Sequence, residues 1–211
     1  MFENRYEAAL QLAGKLQEFK NKDGVVLAVP RGGVPIGYTI AKELGLPLEI
    51  ILSKKIGHPY NPEYAIGSVS LHGAIIDERV TDVPMDYIQK EADRILSGLK
   101  EKFKLFMGDR KPTDLTGKIV IIVDDGIATG NTILATIKSI EKSNPQKIII
   151  AVPVAPPATV SKLSKVADEI VCLLIPENFS GVGQFYYDFS QVSDDEVIEL
   201  LQKANKIKNI A

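Results

Sequence analysis

IVIIVDDGIATGNT, at residues 119–132, is the stretch from which the rest of this chain can be read. It opens with a continuous apolar run over residues 119–123, rich in β-branched side chains. That is the pattern of a strand buried on both faces of a parallel sheet. The run ends on two adjacent carboxylates, Asp124 and Asp125. Gly126 and Gly130 follow around Thr129, and Ile133, Ile137 and Ile140 then recur at helical spacing. A loop between a strand and a helix can aim N–H groups and hydroxyls at an anion, and the start of the helix favours negative charge. Carboxylates cannot serve that anion. They suit the hydroxyls of a diol, as acceptors, or a hard divalent cation. One end of the site therefore wants a phosphate and the other wants ribose hydroxyls or magnesium, and a sugar phosphate offers both.

Other glycine loops fit less well. A Walker A loop needs lysine after its last glycine, where this chain has Asn131. A dinucleotide-binding fingerprint places its acid about 20 residues beyond the glycines, whereas here the acids come first. Outward from the stretch, residues 25–29 read as a second buried strand, followed by PRGGVP and an apolar helix over residues 36–44. Arg31 with Gly32 and Gly33 is thus a second anion-binding candidate. Glycine lets backbone approach a ligand closely, and the arginine fork matches phosphate oxygens. Residues 47–53 read as a third strand ending on Lys54 and Lys55. With further strands at 147–152 and 169–175, strands and helices alternate throughout, which implies a parallel α/β sheet. Loops at its carboxyl ends converge on one crevice.

VIIVDDGIATGNT resembles the phosphoribosyl-pyrophosphate (PRPP) motif of type I phosphoribosyltransferases. The resemblance implies a twisted, mainly parallel α/β sheet flanked by helices, with a hood or flexible loop over the reacting centre. It implies transfer of the 5-phosphoribosyl group from PRPP to a nitrogenous base, with magnesium and release of pyrophosphate. The 5-phosphate is then expected on Gly126, Ile127, Ala128, Thr129, Gly130, Asn131 and Thr132, and the ribose hydroxyls on Asp124 and Asp125. Magnesium is expected near the two aspartates, mostly through ribose hydroxyls or water. Arg31, Gly32, Gly33 and Lys55 match the pyrophosphate side, and Arg31, Lys55 and Asp125 are the expected catalytic groups. Ala128 stands where relatives acting on 6-oxopurines carry an aspartate, so the general acid or base must lie elsewhere. Glu63 is the candidate, with Glu78 and Arg79 near it. Phe179, Phe185 and Tyr186 are candidates to stack the acceptor. A PRPP-binding regulator without transferase activity is the alternative reading, and homodimerisation is expected by family analogy.

Between the two anion loops, residues 57–63 read as a loop because they hold one glycine and two prolines. Short strands at 65–70 and 73–76 follow, possible arms of a hairpin, and then a long helix at 84–106. The chain is expected to form one domain over residues 1–211, with a hood insertion at about 54–112 and an acceptor-side segment at about 176–211. Residues 4–20 read as an amphipathic helix with Tyr6, Leu10, Ala13 and Leu16 on its packed face. Ser193, Asp194, Asp195 and Glu196 form a capping box before a final helix at 197–204. Among 211 residues, 45% are hydrophobic and 25% charged, and the net charge of −2 argues against a nucleic-acid partner. The one cysteine, Cys172, lies in an apolar run and reads as a buried thiol in a reducing compartment. No apolar run is long enough to span a bilayer and no leader pattern opens the chain, so a cytoplasmic location is expected.

Overall fold

The computed structural model describes residues 1–77 and 79–208, so Glu78 lies outside the described residues. Among the described residues, eight strands and six α-helices divide into a core and an insertion. The core strands are β1 (Gly24–Ala28), β2 (Leu48–Ile50), β6 (Ile119–Val123), β7 (Lys147–Val154) and β8 (Glu169–Leu174), in the order β2-β1-β6-β7-β8. Every neighbouring pair is parallel. Alternation explains the sandwich. Val26, Ala28, Ile121, Val123, Ile149 and Ala151 face one core, while Val25, Leu27, Val120, Ile122, Ile148 and Ile150 face the other. Helices α1 (Arg5–Lys15), α2 (Gly33–Leu44) and α6 (Asp194–Lys208) cover the first face; α4 (Asn131–Glu141) and α5 (Pro157–Leu163) cover the second.

The insertion is a three-stranded antiparallel sheet, β3 (Ser53–His58), β4 (Asn61–Ser70) and β5 (Gly73–Ile76), followed by α3 (Met85–Met107). This corrects three expectations. The strand expected over 47–53 stops at Ile50, and Lys54 and Lys55 lie within β3 rather than at the end of a core strand. The expected loop at 57–63 is mostly a hairpin, in which His58 pairs with Asn61 across a register shift. Pro62 is tolerated in that irregular part, and Gly57 makes room for it, since a Cβ there would approach the Pro62 carbonyl to 2.6 Å. The final helix starts at Asp194, three residues earlier than expected; Ser193 Oγ accepts from the Glu196 N–H at 3.1 Å.

Helix α1 packs through Ala13 and Leu16 as expected, but its buried face is turned away from Tyr6 and Leu10. Ala8, Ala9, Leu12, Ala13 and Leu16 are buried, whereas Tyr6 is 63% and Leu10 38% exposed. Both stripes have helical spacing, and the small Ala8 and Ala9 allow α1 to lie close on α2. Asn4 caps the helix by accepting from the N–H groups of Tyr6 and Glu7 at 3.0 and 3.1 Å. Leu12→Ala is therefore expected to cost about 3 kcal/mol, while Tyr6→Ala stays within about 0.5 kcal/mol of wild type. Urea denaturation of both variants checks this.

Candidate active site

The order β2-β1-β6 makes the chain turn to one side of β1 and later return on the other. Loops after β1 and β6 therefore leave the sheet side by side, where open α/β sheets bind ligands. The register pairs Ala28 with Val123, and Val29 N–H donates to the Val123 carbonyl at 2.9 Å. Pro30 to Gly33 thus lies directly against Asp124 and Asp125. Two glycines make this possible. A Cβ on Gly32 would overlap the Asp125 carboxylate, and one on Gly33 would come within 2.7 Å of the Val123 carbonyl.

The phosphate-type loop is held open from below. Ile127 N–H donates to the Val154 carbonyl at 2.9 Å, and Thr159 Oγ1 donates to the Ala128 carbonyl at 2.5 Å. Lys162 Nζ reaches the Thr129 carbonyl at 3.2 Å and also meets Asn131 Oδ1. Gly130, at φ 69°, turns the chain into α4, and neither α4 nor α2 has a side-chain cap at its start. Among the described residues, no hydrogen bond takes the N–H of Ala128, Thr129 or Gly130. The result is a run of unpaired amides beside the Thr129 and Thr132 hydroxyls at the positive end of a helix.

The acid pair has a partner that the sequence did not announce. Arg5, at the start of α1, places Nε 2.9 Å and Nη2 2.8 Å from the same oxygen, Oδ2 of Asp125. Its guanidinium lies 4.0 Å over the Phe189 ring, and Nη1 donates to the Ser190 carbonyl at 2.8 Å. The Asp125 N–H donates to Asp124 Oδ1 at 2.9 Å. Asp125 Oδ1 and Asp124 Oδ2 accept no hydrogen bond from another donor among the described residues. Burial pushes both carboxyls above the usual range, and for Asp124 the adjacent Asp125 adds to this. Arg5 acts in the opposite sense, favouring the ionised pair.

The other expected site residues are distributed as follows. Arg31 is exposed, and its guanidinium leans towards Asp194 at 3.5 Å. Lys55 and Glu63 face each other across the β3–β4 hairpin at 2.9 Å, on the wall of an open cleft of about 1200 Å³ that also reaches Asn131 and Thr132. Arg79 lines the same cleft but is forked onto Asp77. Phe179 and Phe185 stack on each other at 5.6 Å between ring centres. Tyr186 departs from its expected role of open stacking surface. It is buried between Phe2 and Phe189, and its hydroxyl donates to the Asp125 carbonyl at 2.6 Å. Its ring braces the acid loop. Cys172 is only half-buried on the edge strand β8, where burial still pushes its thiol up. Sequence reasoning missed Arg5 and Lys162, and no spacing or motif around either one marks it.

Comparison with known proteins agrees with this architecture. Residues 4–190 match the model of the phosphoribosyl transferase domain, and the chain belongs to that family. A Mycobacterium tuberculosis protein provisionally named a phosphoribosyl transferase is 38% identical over 98% of this chain. The match covers 47% of that relative, so the chain spans about half the length of the curated relatives it matches most fully. The crystal structure of TT1426 from Thermus thermophilus superposes with a TM-score of 0.86 at 33% identity, covering 96% of this chain and 98% of that one. An Aquifex aeolicus protein, AQ2163, shares the fold at 14% identity and a TM-score of 0.51.

The Arg5–Asp125 pair is open to a direct test. Removing Arg5 leaves a buried carboxylate without its counter-charge, which typically costs about 3 kcal/mol. The cost applies above the carboxyl's folded pKa and fades as the pH falls and Asp125 takes up a proton. Arg5→Gln is thus expected to lose more stability at pH 8 than at pH 4 in urea denaturation. Adding Asp125→Asn should recover most of the loss.

Proposed function

We propose that the chain is a phosphoribosyltransferase that binds PRPP with magnesium and transfers the 5-phosphoribosyl group to a nitrogenous base. The observation that carries this reading is the pair of unoccupied carboxylate oxygens, Asp125 Oδ1 and Asp124 Oδ2, beside a loop of unpaired amides. Two acceptors suit the two ribose hydroxyls, and the amides of Ala128, Thr129 and Gly130 with the hydroxyls of Thr129 and Thr132 suit the 5-phosphate. Lys162, already beside Thr129 and Asn131, adds positive charge at that end.

In the reaction, the bond from ribose C1 to pyrophosphate breaks and pyrophosphate keeps the electron pair. The lone pair of a base nitrogen forms the new bond to C1, and that nitrogen gives up its proton. Arg31, drawn from Asp194, and Lys55, drawn from Glu63, neutralise charge growing on the leaving group. Glu63, on the wall of the cleft, is the candidate to take the proton. Phe179 and Phe185 offer flat surfaces at the acceptor side.

The donor set fits magnesium in one particular way. Among the described residues, no three acidic, histidine or cysteine side chains gather into a metal cage, and Arg5 occupies one oxygen of Asp125. Such a pair suits an ion that keeps its waters and is completed by substrate oxygens. Asp124 and Asp125 would hold it, and its charge would stabilise the departing pyrophosphate.

Pyrophosphate release from PRPP and magnesium, screened over free bases, tests the proposal. Asp125→Asn should slow release by about 100-fold while circular dichroism shows a folded chain. Unchanged turnover in that variant would overturn the assignment. PRPP binding without release from any base would make the chain a PRPP-binding regulator instead.

A further inference from the structure

Arg5 is enclosed where the other cations of the crevice are open. Its side chain is 11% exposed, against 42% for Arg31 and 46% for Lys55. All three of its guanidinium nitrogens already face partners. Nε donates to Asp125 Oδ2, Nη2 lies against the same oxygen, and Nη1 donates to the Ser190 carbonyl. A guanidinium so engaged is poorly disposed to take a phosphate. Its grip on the carboxylate is also not the two-oxygen fork that arginine commonly makes. Both nitrogens meet Oδ2, and Oδ1 has no donor among the described residues. Where Oδ1 points therefore depends on where the guanidinium is held.

It is held by residues 185–190, in the segment expected on the acceptor side. The Phe189 ring lies 4.0 Å from the guanidinium carbon, and the Ser190 N–H donates to Asp188 Oδ1 at 3.0 Å, which keeps that loop folded. Phe189 also rests on the short 3-10 turn Val182–Phe185, since a Cβ on Gly183 would come within 2.9 Å of its ring. The same turn lies on the acid loop, because a Cβ on Gly126 would come within 2.5 Å of the Val182 side chain. The turn that carries Phe185 is thus wedged between the neighbour of Asp125 and the ring that supports Arg5.

We propose that Arg5 is a positioning residue, which aims Asp125 Oδ1 at the ribose for transfer and is itself set by Phe189. This role rests on the transferase reading and gives Arg5 no contact with substrate. It differs from that of a counter-charge. Lysine would supply the charge, but its ammonium lacks the planar face that stacks on Phe189 and the fork that spans Asp125 and Ser190. Substitution therefore separates the two roles.

Steady-state pyrophosphate release and calorimetric titration with PRPP, on wild type, Arg5→Lys and Phe189→Leu, test the role. Arg5→Lys should lose less stability than Arg5→Gln in urea at pH 8, because it keeps a positive charge beside Asp125. Its kcat should nevertheless fall about tenfold or more, as expected for a misplaced positioning group. PRPP should still bind one site per chain with a Kd within about threefold of wild type, since the phosphate loop is untouched. Phe189→Leu removes only the stacked ring and should lower kcat by about threefold. Wild-type kcat in both variants would overturn the role and leave the transferase reading intact. A loss of kcat matched by a fall in PRPP sites per chain would mark damaged folding and would also overturn it. A wild type that releases no pyrophosphate with any base would overturn both readings.

Discussion

The contact between Gly32 and the Asp125 carboxylate is the constraint on which this structure turns. Parallel pairing of β1 with β6 brings two loops off adjacent strand ends, and no side chain larger than hydrogen fits between them at that point. Once the loops are in contact, the Asp125 carboxylate is held by Arg5, and its backbone carbonyl by Tyr186. A pair of carboxylates that would repel each other in a partly buried site is thereby fixed with one free oxygen apiece. The energetic cost of burying the charge is partly offset by one guanidinium, itself stacked on Phe189.

That arrangement ties the first residues of the chain and the segment before α6 to the crevice. Phe2 N–H donates to the Phe185 carbonyl, and the N–H groups of Tyr187 and Asp188 donate to the carbonyls of Phe2 and Glu3. Residues 2–5 and 185–190 therefore form one unit that reaches the acid pair through Arg5 and Tyr186. The insertion reaches the same crevice from the opposite side, through Lys54, Lys55 and Glu63. Chemistry at the crevice thus depends on two separate flanking structures, each carrying cations towards a region where phosphate charge is expected.

The core sheet and the phosphate-type loop were legible because their signals are local. Five consecutive apolar residues, an acid pair and spaced glycines sit within a few positions of one another, and so does PRGG. Arg5 was invisible because its partner lies 120 positions away and nothing near it distinguishes it from a surface arginine of a helix N-terminus. Tyr186 was mistaken for an acceptor-stacking residue because sequence shows an aromatic side chain but not the Phe2 and Phe189 rings that enclose it. The hairpin at Gly57 and Pro62 was read as a loop because both residues usually break strands, and only the pairing partner shows that a bulge absorbs them. On α1, two stripes fit the helical period, and the choice between them was made by α2 and β8 rather than by periodicity.

The most direct test of the central claim is calorimetric titration of the purified chain with PRPP, with and without magnesium. The account predicts one site per chain, tighter with magnesium, and weakened in Asp125→Asn and in Thr132→Ala. Absence of binding under both conditions, or binding indifferent to both substitutions, would contradict the reading of the strand-end crevice as a PRPP site.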